Sequence, residues 1–203
     1  MRLRTMIQDG SLAPGEHLLQ KELGERFGVS TTPIREAFNS LAREGYIRYS
    51  PHQGAVVFDP SVEELEEISN IRIALEGLAT EIACPKLGEA ELADLRSIVE
   101  RMGSAGSVEE SQRLNREFHT IIYDAAAQPR LTEMITPLRE AGAAYQNRWI
   151  HHFQSSYWEA AQQEHEAIVE ALAAGDAAEA SALLRAHLDH YRRSVAEVFR
   201  RAE

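Results

Sequence analysis

The chain has 203 residues, a net charge of −11, 44% apolar and 26% charged residues; that is enough for two small domains and too ordinary a mixture for disorder. One cysteine, Cys84, cannot close an internal disulfide, and the first residues, MRLRTMIQDG, lack the apolar run of a secretory signal. No stretch nears the ~20 uninterrupted apolar residues of a membrane span, so a cytoplasmic setting with no membrane partner is expected. The charge is uneven along the chain. Residues 1–59 hold seven Lys/Arg and seven Asp/Glu, leaving 14 of the 21 bases and 25 of the 32 acids in residues 60–203. The first segment is neutral and the second carries the whole of the −11, which points to different partners for the two.

In chain order, residues 19–27 (LQKELGERF) predict a short amphipathic helix, Gly28-Val29-Ser30 a turn, and Pro33–Glu44 a second helix. Helix, glycine turn and helix make a helix-turn-helix. Two β-prone runs follow, Tyr46–Tyr49 and Ala55–Phe58, around Ser50-Pro51-His52-Gln53-Gly54; they predict a hairpin, the wing of a winged helix. The second helix opens at Thr32-Pro33, where unpaired backbone N–H groups and the positive dipole end favour phosphate or a base-edge acceptor. Thr31 and Thr32 are small enough to enter a major groove, and Arg35 projects from the same turn. The plainer alternative has Ser30 and Thr32 as caps and Arg35 paired with Glu36 or Glu44.

From Ser61 the pattern is helical throughout. Ser61 and Glu64 form a capping box ahead of Leu65, Ile68, Ile71, Ile73, Leu75 and Leu78, and Pro85 ends that helix near Cys84. Further helices fit residues 89–102, 108–127, 130–150, 155–174 and 176–202, the last two separated by Gly175 and Asp176. The expected architecture is mainly α: a winged helix-turn-helix over residues 1–59 and an all-helical bundle of about six helices over residues 60–203.

In the bundle, Asn115 and His119 lie one turn apart on one helix face, and His165 and His187 lie on two later helices. Three imidazoles and an amide oxygen from three helices suit a first-row divalent metal. Any one of these His, taken singly, is as well explained as a buried, hydrogen-bonded side chain. Arg72 either grips a ligand carboxylate or pairs with Glu76 one turn on. Tyr145, Arg148 and Trp149 either line the same cavity or serve equally as packing and surface, and Phe118, Ile121 and Ile122 belong to the core.

The run Gly10-Ser11-Leu12-Ala13-Pro14-Gly15-Glu16-His17-Leu18, with FGVSTTPIREA and LAREGY after it, resembles the GntR family of bacterial transcription regulators over nearly all of residues 5–58. The helical remainder resembles the FCD ligand-binding domain of the FadR branch. The resemblance implies DNA contact by Lys21, Ser30, Thr31, Thr32, Arg35, Gln53 and Gly54; where this chain has Thr31 the family commonly has Arg. It also implies a metal site at Asn115, His119, His165 and His187, with Zn or Ni suiting the ligands and Asn115 standing where Asp is more usual. Arg72 matches the family's R-x-x-L-E-x-x-A helix. The implied function is a DNA-binding regulator, a homodimer and a repressor, that binds double-stranded operator DNA and answers to a small carboxylate metabolite, an organic acid effector held by Arg72, Arg148 and the metal. Two alternatives stand beside it: a metal-dependent enzyme using the His cluster, and a constitutive DNA binder with a purely structural bundle. The enzyme lacks a general base in a motif such as H-E-x-x-H, since Glu164 and Glu166 flank His165 off its helix face.

Overall fold

The computed structural model describes residues 2–8, 11–43, 45–50, 54–59, 61–149 and 155–202, the side chains of residues 2, 8, 43, 50, 144, 146–149, 155 and 202 excepted. The chain forms two compact units: Met1–Leu65 with Arg139–His152, and Glu66–Leu138 with Phe153–Glu203.

The first unit runs α1 (Arg2–Gln8), β1 (His17–Leu18), α2 (Gln20–Phe27), α3 (Thr31–Arg43), β2 (Ile47–Ser50) and β3 (Gly54–Val57). On α3 the residues Ile34, Phe38 and Leu41 are buried, one stripe of a 3.6-residue period, and join Leu3, Leu23, Ile47 and Val57 in one core. That stripe leaves Thr31, Thr32, Arg35 and Asn39 exposed on the other face. Helix α3 starts at Thr31, two residues before the predicted Pro33. Pro33 lies within its first turn, where backbone N–H groups have no intrahelical acceptor and a missing one costs nothing. Its predicted last residue, Glu44, lies outside the described residues. The wing is a three-stranded antiparallel sheet of order β1-β3-β2, with Arg48 opposite Val56 and Ser50 opposite Gly54. Strand β1 was not expected from sequence, because two residues cannot display an alternation; it pairs His17 with Val56 and Leu18 with Ala55.

Between α2 and α3 the chain turns at Gly28, which closes α2 in the left-handed region at φ 68°. Its N–H bonds Glu25 O at 3.3 Å and that of Val29 bonds Gly24 O at 2.9 Å, so the last carbonyls of α2 are satisfied by the turn.

The second unit is helical: α4 (Val62–Ala83, its first turn in the other unit), a 3-10 turn at Cys84–Lys86, α5 (Glu89–Gly103), α6 (Val108–Ala126), α7 (Pro129–Trp149, its second half in the other unit), α8 (Ser155–Ala173) and α9 (Ala177–Ala202). Leu95, Leu114, Phe118, Ile122, Ile168 and Leu184 form its apolar centre. The inward stripe of α4 differs from expectation. Leu65 and Ile68 are buried, but Ile71 and Leu78 are exposed, and the positions on the buried stripe are Ser69, Arg72, Glu76, Ala79, Thr80 and Ala83. Against this helix, α9 approaches at Gly77: Ser181 Oγ donates to Gly77 O at 2.8 Å and Arg185 Nη1 to Ile73 O at 2.9 Å. No helix among the described residues is long and apolar enough to cross a membrane.

A Cβ added at Gly28 meets nothing within 4 Å, so Gly28→Ala tests the backbone alone. It is expected to lower the stability of the first unit by about 1 kcal/mol, the cost of a left-handed conformation, as read by urea unfolding against the wild-type chain.

Candidate metal centre and nucleic-acid interface

In the helical unit the sequence periodicity of α6 sends Asn115, His119 and Tyr123 to one face, successive turns apart. His165 comes from the middle of α8 and His187 from α9. All three imidazoles are buried, and one ring nitrogen of each lies within 4.8 Å of one on each of the others. His165 Nε2 is 3.0 Å from Asn115 Oδ1. The four predicted ligands are therefore brought together from three helices.

The other ring nitrogens show how the imidazoles are turned. His165 Nδ1 donates to Ala161 O at 2.7 Å, the carbonyl one turn back on its own helix. His187 Nδ1 donates to Glu164 Oε2 at 2.7 Å, and His190 Nδ1 to Glu164 Oε1 at the same distance. Burial pushes the Glu164 carboxyl up, but the two imidazoles against it hold it below the usual carboxylate range, so it is an ionised acceptor. Tyr123 OH donates to Glu76 Oε2, which turns the tyrosine oxygen into the acceptor for His119 Nδ1 at 3.0 Å. Each Nδ1 thus has its own oxygen partner, which leaves the second nitrogen of each ring for a ligand, the orientation of a metal-binding histidine. These residues fit a divalent cation.

Glu76 carries the arrangement on one side. It has 0% exposure, yet it accepts from Tyr123 on one oxygen and from Arg72 Nε at 2.7 Å on the other. Burial works against the charge of Arg72, but Glu76 beside it holds the guanidinium above its ordinary value. The internal ion pair considered for Arg72 is thus present. It uses Nε alone; among the described residues no acceptor takes the two terminal nitrogens, which remain donors for an anion. The Arg72 Cζ lies 5.8 Å from the centre of the Tyr191 ring. The phenol of Tyr157 is pushed well up, by burial first and then by Tyr191 and Glu164.

Tyr145 is not in this unit: it lies in the N-terminal one, where its hydroxyl donates to Glu64 Oε2 at 2.8 Å. The side chains of Arg148 and Trp149 lie outside the described residues. His190 shares Glu164 with His187. Glu164 does point away from His165 and reaches α9 instead, an acceptor role that sequence alone did not show. Tyr123 also went unread, although its spacing repeats that of Asn115 and His119.

At the other end of the chain, Lys21, Ser30, Thr31, Thr32, Arg35 and Gly54 are all exposed, and the first turn of α3 carries no acid. Gly54 opens β3 at φ 75°. Gln53 lies outside the described residues.

The profile of the bacterial regulatory proteins of the gntR family matches residues 1–57, and that of the FCD domain matches residues 67–190. The HTH-type transcriptional regulator McbR of Escherichia coli strain K12 is 34% identical over 139 residues, covering 67% of this chain and 63% of McbR, less than two-thirds of that protein's length. The HTH-type transcriptional repressor GlaR of the same organism is 26% identical over 195 residues, 92% of this chain and 89% of GlaR. The solved structure of E. coli McbR/YncC superposes with a TM-score of 0.72 at 26% identity, covering 100% of this chain and 95% of that one. These relatives are named as regulators of transcription, and not as enzymes.

Replacing Glu76 by Leu would leave the Arg72 charge buried without its partner. Glu76→Leu is expected to cost the helical unit about 3–5 kcal/mol in urea unfolding, whereas Glu76→Gln, which keeps an acceptor, is expected to cost less.

Proposed function

This chain belongs to the gntR family of bacterial regulatory proteins, in its FCD-domain branch, and from that premise we propose that it is a cytoplasmic, ligand-responsive transcriptional repressor. It binds double-stranded operator DNA through the exposed face of α3 and the wing. Its helical unit holds a divalent metal on Asn115, His119, His165 and His187 and a small organic acid beside it. The observation that carries the second half of this reading is the common orientation of the three imidazoles: each Nδ1 is tied to its own acceptor, and a nitrogen of each faces one point. A structural bundle needs no such convergence, because a buried imidazole is satisfied by any two partners.

The residues have separable roles. A bound divalent ion supplies Lewis acidity toward a carboxylate. Asn115 contributes a neutral oxygen, so the protein set brings no anionic ligand of its own and leaves more positive charge for the ligand's carboxylate. The terminal nitrogens of Arg72 supply donors for the same or a second carboxylate. Tyr123, Glu76 and Glu164 hold the rings in orientation. On the DNA side, the open N-terminus of α3 favours phosphate, and the exposed Thr31, Thr32 and Arg35 reach the groove. The ligand changes operator affinity only by as much as its own affinity differs between DNA-bound and free protein. Repression is supported by the name of GlaR. The exposed Ile71 and Leu78, two turns apart on α4, offer an apolar face for a homodimer.

Native mass spectrometry with metal analysis of gently purified protein tests this directly. The expected result is a dimer with about one divalent ion per chain, lost in His119→Ala. A metal-free dimer whose DNA affinity ignores added metal and organic acids would reduce the protein to a constitutive binder. Glu164→Gln is expected to weaken metal retention about 10- to 100-fold, the usual cost of losing an outer acceptor, while Asn115→Asp tightens it; a competing chelator titration reads both. For DNA, Arg35→Ala is expected to lower affinity and, if Arg35 meets a phosphate, to reduce the slope of log K against log salt by about 1.

A further inference from the structure

Arg48 lies on β2 of the wing. In the structure it is engaged within the protein. Its Nη1 donates to both oxygens of Glu64, at 2.7 and 3.1 Å, and its guanidinium lies 4.2 Å from the centre of the Phe58 ring. Its Nη2 is buried with no hydrogen-bond partner among the described residues, while the side chain as a whole is partly exposed. Glu64, in the first turn of α4, accepts a third hydrogen bond from Tyr145 OH at 2.8 Å. The Tyr145 ring meets Phe58 edge-on at 4.9 Å. Four side chains thus close a ring: Arg48 of β2, Phe58 just past β3, Glu64 and Tyr145.

Tyr145 is the unusual member. It has 0% exposure and belongs to the second half of α7, a helix that begins at Pro129 in the helical unit. Its hydroxyl is pushed well above the usual range, by burial first and then by the Glu64 hydrogen bond, with the Ser61 backbone and Arg48 opposing. The Glu64 N–H takes Ser61 Oγ at 3.1 Å, the first half of the expected capping box, but the Glu64 carboxylate is turned to Arg48 and Tyr145. Strands β2 and β3 have four residues each, and β2 is an outer strand of the sheet, paired with β3 on one side only. Arg48, opposite Val56, is placed to anchor that strand.

We propose that Tyr145 is a positioning residue for the wing: by hydrogen-bonding Glu64 it fixes Arg48 and with it β2, so that DNA affinity depends on a side chain of α7. The proposal rests on the DNA-binding reading above. It does not depend on the metal or the organic acid.

The test is a double-mutant cycle on the full chain, using as probe a duplex selected by the wild-type protein from a random pool. Tyr145→Phe keeps the ring against Phe58 and removes only the hydroxyl. It is expected to weaken binding about fivefold, the worth of one hydrogen bond, with its unfolding transition still cooperative. In Arg48→Met or Glu64→Gln backgrounds, each weakened on its own, the same change is expected to have no further effect. An unchanged dissociation constant for Tyr145→Phe, or an equal loss in all backgrounds, overturns the proposal, the latter because it marks Tyr145 as packing for α7 alone. Failure of the wild-type chain to select any duplex overturns the DNA-binding reading and the proposal with it.

Discussion

A carboxylate in a place with no water dictates the interior of the helical unit. Glu76 cannot be ionised there without compensation, and the chain supplies it from two directions: a guanidinium one turn earlier on the same helix and a phenol from α6. Compensation has a directional consequence. Because both oxygens of Glu76 only accept, Tyr123 must donate to it, and the tyrosine oxygen then accepts from His119. A charge balance on α4 therefore determines which nitrogen of a histidine on α6 faces the centre of the bundle. The inward stripe of α4 is polar for the same reason, with Ile71 and Leu78 turned outward instead.

The other two imidazoles are oriented by different means toward the same end. His165 is tied to a carbonyl of its own helix, an attachment that survives any movement of its neighbours. His187 is tied to Glu164 on α8, so its orientation depends on α8 and α9 staying in register. Two rings are thus held by contacts one turn away on their own helix, His165 on Ala161 O and His119 on Tyr123, and two long-range bonds, Tyr123 to Glu76 and His187 to Glu164, tie them to other helices. The long-range pair connects the centre to Arg72 through Glu76, and to His190 through Glu164. The guanidinium of Arg72 and the ring of His119 are thus joined through one carboxylate, Glu76, with Tyr123 between.

The N-terminal unit shows the same physics at its edge. Glu64 is a single acceptor for Arg48 and Tyr145, just as Glu76 is for Arg72 and Tyr123. In both cases one carboxylate on α4 joins an arginine to a tyrosine that is distant in sequence. The difference is exposure: the Arg48–Glu64 pair is partly open to solvent, so its charge interaction is weakened by screening and its hydrogen bonds and the Phe58 contact matter more.

The apolar periodicity of residues 61–202 was sufficient to place six helices, and the glycine turn at residues 28–30 placed the helix-turn-helix, because helical spacing, Gly and Pro act over a few residues. Asn115, His119, His165 and His187 could be picked out for the same local reason, each lying on a helix face that turns inward. The start of α3 was misplaced by two residues because proline is as acceptable within a first turn as at its first position. Strand β1 was invisible because two residues have no period. What only the tertiary structure decided was the partner of each charge. Sequence left Arg72 between a ligand and Glu76 and Tyr145 between the cavity and packing, and passed over Tyr123, Glu164 and His190 as site residues. Hydrogen bonds between residues 23 to 81 positions apart settle where these side chains go, and such pairings depend on how helices pack. Outside α4, where Ile71 and Leu78 face outward, local pattern specified which residues face inward; the packing of helices against one another specified what each of them meets there.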